Sequence, residues 1–176
     1  MSDGLPLSHL YNLNRLGQAG DLVAFQAMDE ECARLAGFAD VSRVESFGAR
    51  IALKKTAPNS FHLDFVLEAD IVQACVVSLA DVPAHIERHF ARDLHFNPAL
   101  KRAKDAALAE DPLMEDDKPE EIDSLHYDLA APLIEEFVLA IDPYPRAPGV
   151  EFEAPPAVQD SPENPFAVLK GLKSGL

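Results

Sequence analysis

Apolar and polar residues alternate with period two along much of the first hundred positions, and helical spacing interrupts them only in places. Residues 8–14 alternate weakly and are punctuated by Gly17 and Gly20. Residues 21–27 (DLVAFQA) read as a strand. Residues 29–36 (DEECARLA) read as a short helix whose acidic first turn meets the positive end of the helix dipole, with Gly37 as its stop. Long strands are predicted over 43–54 and 61–79, joined by a turn at Pro58-Asn59-Ser60. In the second, Phe61-His62-Leu63-Asp64-Phe65 alternates cleanly, which predicts one wet face. Residues 71–77 (IVQACVV) are apolar on both faces and predict a buried central strand. Turns this short require antiparallel neighbours. Over 85–96, Ile86, Phe90, Leu94 and Phe96 share one parity, as a strand requires. Ile86, Phe90 and Leu94 also fit i, i+4 spacing, so a helix stays open beside the preferred strand.

The second half is less regular. Residues 110–121 hold seven acids, one lysine and two prolines, the mark of a solvated loop. Residues 129–141 (LAAPLIEEFVLAI) predict a helix with Asp128 as N-cap and Pro132 early enough to be tolerated. The proline-rich stretch 142–149 stops it. Residues 151–163 are rich in Pro, Ala and acid, and Asn164-Pro165 then opens a short terminal helix. The expected fold is therefore α+β: one domain over 1–150, mainly an antiparallel sheet packed by a few short helices. A flexible acidic loop at about 105–121 and a flexible tail over 151–176 complete it. Ile71, Val76, Val77, Phe137, Leu139 and Ile141 are the expected core residues.

Charge narrows the functional classes. The 176 residues carry 30 acids against 15 Lys and Arg, a net charge of −15. That balance opposes free binding to DNA or RNA, where phosphates must be neutralised, and opposes docking on anionic membranes. It favours basic partners. The N-terminus lacks the basic and apolar regions of a secretory signal, and no apolar run approaches the roughly 18 residues of a membrane span. Two distant cysteines, Cys32 and Cys75, fit a reducing cytoplasm.

Candidate chemistry is sparse. Cys75, His85 and His89 form the best metal set, but on a strand the two histidines stand roughly 13 Å apart, too far for one ion. A nucleophilic cysteine needs an electropositive setting. The apolar run around Cys75 and the acids Glu30 and Glu31 beside Cys32 are expected to raise both thiol pKa values. There is no GxSxG, P-loop or GxGxxG pattern. Glu115-Asp116-Asp117 lacks the spacing of a calcium loop. No catalytic residue and no cofactor is assigned. The one basic excess, Arg88, Arg92, Lys101, Arg102 and Lys104, is interleaved with Phe90 and Phe96. RNA-binding modules use such mixtures, and so do core-facing strands whose aromatics are buried.

Three segments carry a resemblance to a known family. Residues 72–82 (VQACVVSLADV) resemble a Cys-x-x-Cys strand and turn of which the first Cys remains. Residues 136–149 (EFVLAIDPYPRAPG) resemble an acidic lead into a Leu-rich run and proline turn. Residues 163–173 (ENPFAVLKGLK) resemble an Asn-Pro-Phe-x-x-Leu ending. Together, in this order, they are similar to the YceD family of large ribosomal RNA subunit accumulation proteins. The resemblance implies a role in 23S rRNA accumulation and large-subunit biogenesis, with no known reaction. Many members carry four cysteines that look like a zinc site. Here Ser78 replaces the second and no Cys follows Cys75, so metal binding is not carried over. The expectation is a non-enzymatic cytoplasmic factor that contacts ribosome assembly components or ribosomal proteins. Direct rRNA binding through the 88–104 patch, or an uncharacterised enzyme, is the alternative. In the terminal helix, Phe166, Leu169 and Leu172 make an apolar stripe that must dock on its own domain or on a partner.

Overall fold

The computed structural model describes residues 4–100 and 118–151. The chain runs β1 (Leu10–Asn12), a 3-10 turn (Leu13–Arg15), β2 (Asp21–Gln26), α1 (Asp29–Ala39), β3 (Arg43–Ala57), β4 (Ser60–Ala74), β5 (Asp81–Phe96), β6 (Glu120–Ile122), β7 (His126–Asp128) and α2 (Ala130–Ala140). Five strands form a meander in the order β2-β3-β4-β5-β6, and β1 pairs separately with β7. Every pairing is antiparallel except that of β6 with the end of β5, which is parallel. The fold is α+β, as the hydrophobic pattern predicts.

Alternation explains the layers. Phe61, Leu63, Phe65, Leu67, Ala69 and Ile71 of β4 are buried on one face of the sheet. Phe47, Ile51 and Leu53 of β3 and Ile86 and Leu94 of β5 lie on the same face. An irregularity between Val44 and Ser46 sets two residues of β3 against one of β4, so Val44 and Phe47 both reach the core despite opposite parity. Asn59, at φ 77°, and Pro58 make the two-residue turn between β3 and β4; Pro then positive φ is the type II pattern. Both helices pack against this face within one core. α1 contributes Cys32, Leu35 and Ala36. α2 contributes Ala130, Leu133, Ile134 and Phe137, spaced as one helical stripe. Phe137 meets Phe47 edge to face at 5.4 Å between ring centroids. The opposite face of the sheet carries no helix among the described residues.

Several boundaries differ from the sequence reading. α1 continues through Gly37 to Ala39 and closes on Asp40, which takes the left-handed φ of 54° itself. Val41 then donates to the Ala36 carbonyl. The glycine is not needed as a stop because Asp tolerates that conformation. Asp128 lies one residue before the helix cap, yet its carboxylate accepts from the N–H groups of Ala130 and His9. It thereby ties the N-terminal segment to the start of α2. β4 ends at Ala74, not beyond it. Cys75 to Ser78 form a turn that Leu79 closes at φ 60°. Val76 is therefore exposed and Val77 half-buried, against the expectation of core. Leu139 is also exposed, because it lies two residues and about 200° around the helix from Phe137. Ile141, just past the helix, is half-buried. Glu120 and Glu121, assigned to the acidic loop, belong to β6. Residues 105–117 of that loop and residues 152–176 of the tail lie outside the described residues.

Candidate functional site

Arg88 and Arg92 stand on the core-facing side of β5, in register with Leu67 and Leu63 of β4. Arg88 is exposed at the margin of that face and makes no ion pair among the described residues. Arg92 lies beside α2, where its guanidinium meets Glu135 at 2.9 Å and Glu136 at 3.6 Å. It also sits 5.8 Å from the ring centroid of Phe90. Phe90 in turn stacks on Phe65, centroids 4.7 Å apart. The aromatics of the patch are thus packing residues, and Arg92 is a clamp between β5 and α2 with its charge already compensated. Lys101, Arg102 and Lys104 lie outside the described residues, as do Phe166, Leu169 and Leu172.

The uncovered face of the sheet carries a lattice of histidines and carboxylates that the sequence reading passed over. The ring of His62 lies between two acids, Nδ1 at 2.7 Å from Asp93 and Nε2 at 3.1 Å from Asp64. Lys54 approaches Asp64 at 3.5 Å. His85 meets Asp70 at 2.7 Å, and the Ser46 hydroxyl donates to the same carboxyl group. His89 meets Glu87, and Arg50 meets Glu68. The hydrogen bond to Asp93, helped by Asp64, raises the His62 pKa although partial burial opposes it. Asp70 raises that of His85, while His85 and Ser46 lower that of Asp70. Each of these acids has a basic side chain beside it on the same surface, so the polar groups of this face satisfy one another. The signal was in the sequence: His62 and Asp64, and His85, Glu87 and His89, alternate on the wet parity.

Two concavities formed by the described residues gather no catalytic set. One is a shallow saddle of about 430 Å³ over Gly48, bounded by Gln26, Arg50, Val66 and Glu68. The other lies between β1 and the start of β2, where the Tyr11 hydroxyl donates to Asp21 at 2.6 Å. Burial and that acid push the Tyr11 pKa up to about 12. Among the described residues no three His, Cys, Asp or Glu side chains converge as metal ligands. His85 and His89 both project from the outer face of β5, each beside its own carboxylate, whereas Cys75 sits beyond the end of β4.

Cys75 corrects an expectation. Its thiol is closed off from solvent beneath its own turn, but the turn points donors at the sulfur. The Ser78 hydroxyl leads, joined by the N–H groups of Ala147, Ser78 and Val77, and together they push the pKa down to about 6. The site lies at the periphery of the fold, so burial opposes these donors only weakly. Apolar neighbours in the sequence suggested the reverse, because they say nothing about how a turn aims its backbone. Cys32 behaves as expected: burial, Asp29 and Glu31 raise its pKa.

Residues 63–173 match the family described as large ribosomal RNA subunit accumulation protein YceD. Searches of curated proteins and of solved structures give no significant match. The matched span covers well over half of the chain and contains all three segments of the resemblance, and the chain belongs to this family. The family is named for the accumulation of a ribosomal RNA and not for a reaction.

Proposed function

We propose that this member of the family supports 23S rRNA accumulation and large-subunit biogenesis in the cytoplasm as a non-enzymatic factor, acting mainly through contacts with basic ribosomal or assembly proteins. Family membership carries the reading, since the family is described by its large-subunit rRNA. The chemistry of the chain supports the choice of protein over nucleic acid. A net charge of −15 repels phosphate backbones and attracts lysine- and arginine-rich proteins. The patch that offered an RNA contact is weakened because Arg92 is held by two glutamates and Phe90 is stacked on Phe65. No convergent nucleophile, base and donor set among the described residues suggests a reaction.

Depletion of the protein in its host, followed by sucrose-gradient profiles and measurement of 23S rRNA, tests the reading. Loss of 50S particles with reduced 23S rRNA is the expected result; normal levels of both would refute it. Arg88, exposed and unpaired among the described residues, keeps direct rRNA contact as the second reading. A gel shift with 23S fragments that weakens steeply with salt and with Arg88→Ala would favour it.

A further inference from the structure

Exposed apolar side chains are not scattered evenly over the protein. Of the ten large hydrophobic residues that are exposed among those described, five lie on two segments: Val76 and Leu79 in the turn after β4, and Val138, Leu139 and Tyr144 at the end of α2 and in the loop after it. Two hydrogen bonds bring their segments together. Gln73 donates to the Asp142 carbonyl at 2.8 Å and Val76 N–H to the Pro145 carbonyl at 2.9 Å. The turn after β4 and the loop after α2 therefore share one surface. Leu79 is 78%, Leu139 73% and Tyr144 72% exposed. A concentration of this kind marks a contact site rather than ordinary surface.

The chain leaves the described structure at the same place. Val150 N–H bonds back to Ala147, and Glu151 comes next. The intervening residues 152–163 span at most roughly 40 Å when extended, more than enough to return the chain to the surface it has just left. The terminal segment beyond them is apolar and basic: residues 164–176 hold Phe166, Val168, Leu169 and Leu172 with Lys170 and Lys173, and no acid. Around the patch, Asp81, Asp142 and Glu151 outnumber Arg146, so the charges are opposite in sign. Both halves also fall within the family match, which runs to residue 173.

We infer that residues 164–172 of the same chain pack on this patch, Phe166, Leu169 and Leu172 covering Leu79, Leu139 and Tyr144. A short helix of this size is unstable alone and needs such a surface, and the tether raises its effective concentration there. This packing is independent of the ribosomal role.

The full chain, labelled for NMR and measured at two concentrations, tests it. In the wild type, amides 164–172 should show order parameters near ~0.85, as a rigid backbone does. Phe166→Asp should shift the amides of Leu79, Leu139 and Tyr144. Leu139→Asp and, separately, Tyr144→Ser should shift those of 164–172 and drop their order parameters below ~0.6. All three sites are open to solvent or lie in the tail, so the core resonances should stay put. Order parameters below ~0.6 in the wild type overturn the inference and leave the segment to an external partner. Shifts that vanish on dilution overturn it too and assign the patch to a second copy. Order without reciprocal shifts places the segment elsewhere and overturns the inference equally.

Discussion

Phe137 is the side chain on which the sheet and α2 jointly depend, and its removal can be worked through. The ring is fully buried and meets Phe47 edge to face at 5.4 Å. A buried Phe removes at least ~150 Å² of surface from water, which at about 25 cal/mol per Å² is about 4 kcal/mol. Cavity formation adds to this and a compact unfolded state subtracts from it, so Phe137→Ala should cost ~3–5 kcal/mol. Urea unfolding followed by circular dichroism measures the effect. With a slope of about 1–3 kcal/mol per molar, the midpoint should fall by at least ~1 M at constant slope. The control is Met28→Ala, before α1 and 75% exposed, which should change stability by no more than ~0.5 kcal/mol. A loss below ~1.5 kcal/mol at Phe137, well under the range for a buried Phe, would refute the assignment of the buried stripe, as would comparable losses at both positions.

Three further outcomes are expected. The pKa of His62 is raised by Asp93 and Asp64, so its contribution to stability is complete below the ordinary histidine value near 6.5 and fades as pH rises through the raised folded one. His62→Asn should remove that decline, and an unchanged slope as pH rises above about 6.5 would count against the bridge. The Cys75 thiol is lowered to about 6, so the opposite sign holds: its contribution grows as pH rises from about 6 towards the unfolded thiol's value. Thiolate absorbance of the native protein should titrate once in that region and vanish in Cys75→Ala, while a midpoint near ~8.5 would show the turn donors to be ineffective. A double-mutant cycle of Arg92→Met and Glu135→Gln should return a coupling of ~0.2–1 kcal/mol in urea melts, and none if the clamp is absent in solution.

Period-two alternation was enough to locate β2, β3, β4 and β5, because each buries one side and wets the other. It also decided the ambiguous segment 85–96 correctly as strand: Ile86 and Leu94 are buried and Phe90 is stacked on Phe65. Features that depend on distant partners lay beyond its reach. β1, β6 and β7 are three residues each and gain their shape from pairing, which no local pattern encodes. Val76 is apolar like its neighbours, but the backbone leaves the sheet at Cys75, and hydrophobicity does not report φ. The basic cluster was visible as composition, whereas its compensation by Glu135 and Glu136 is a tertiary fact. The His–carboxylate lattice was legible in principle from the wet parity of β4 and β5, because cross-strand neighbours on one face can be read once the register is known.

The family match begins at residue 63, near the start of β4, and this boundary is not a structural one. β4 pairs along its length with β3, from Ala57↔Ser60 to Arg43↔Val72. Its buried residues face a core that Leu13, Leu35, Phe47, Ile51 and Leu53 complete, all upstream of the match. α2 is anchored from the same side, through Phe47 against Phe137 and through the bond from Leu129 N–H to the His9 carbonyl. A fragment of residues 63–176 would expose the core faces of β4 and β5 and one whole edge of β4. Two such strands with a single helix bury too little apolar surface to offset the ordering of the chain. The fragment should therefore be unfolded or aggregated, with collapsed amide dispersion, while the full chain unfolds cooperatively. A sharp thermal transition in the isolated fragment would show that the N-terminal strands are accessory. Collapse of the fragment would instead mean that residues upstream of the family signature are required to form the surfaces within it.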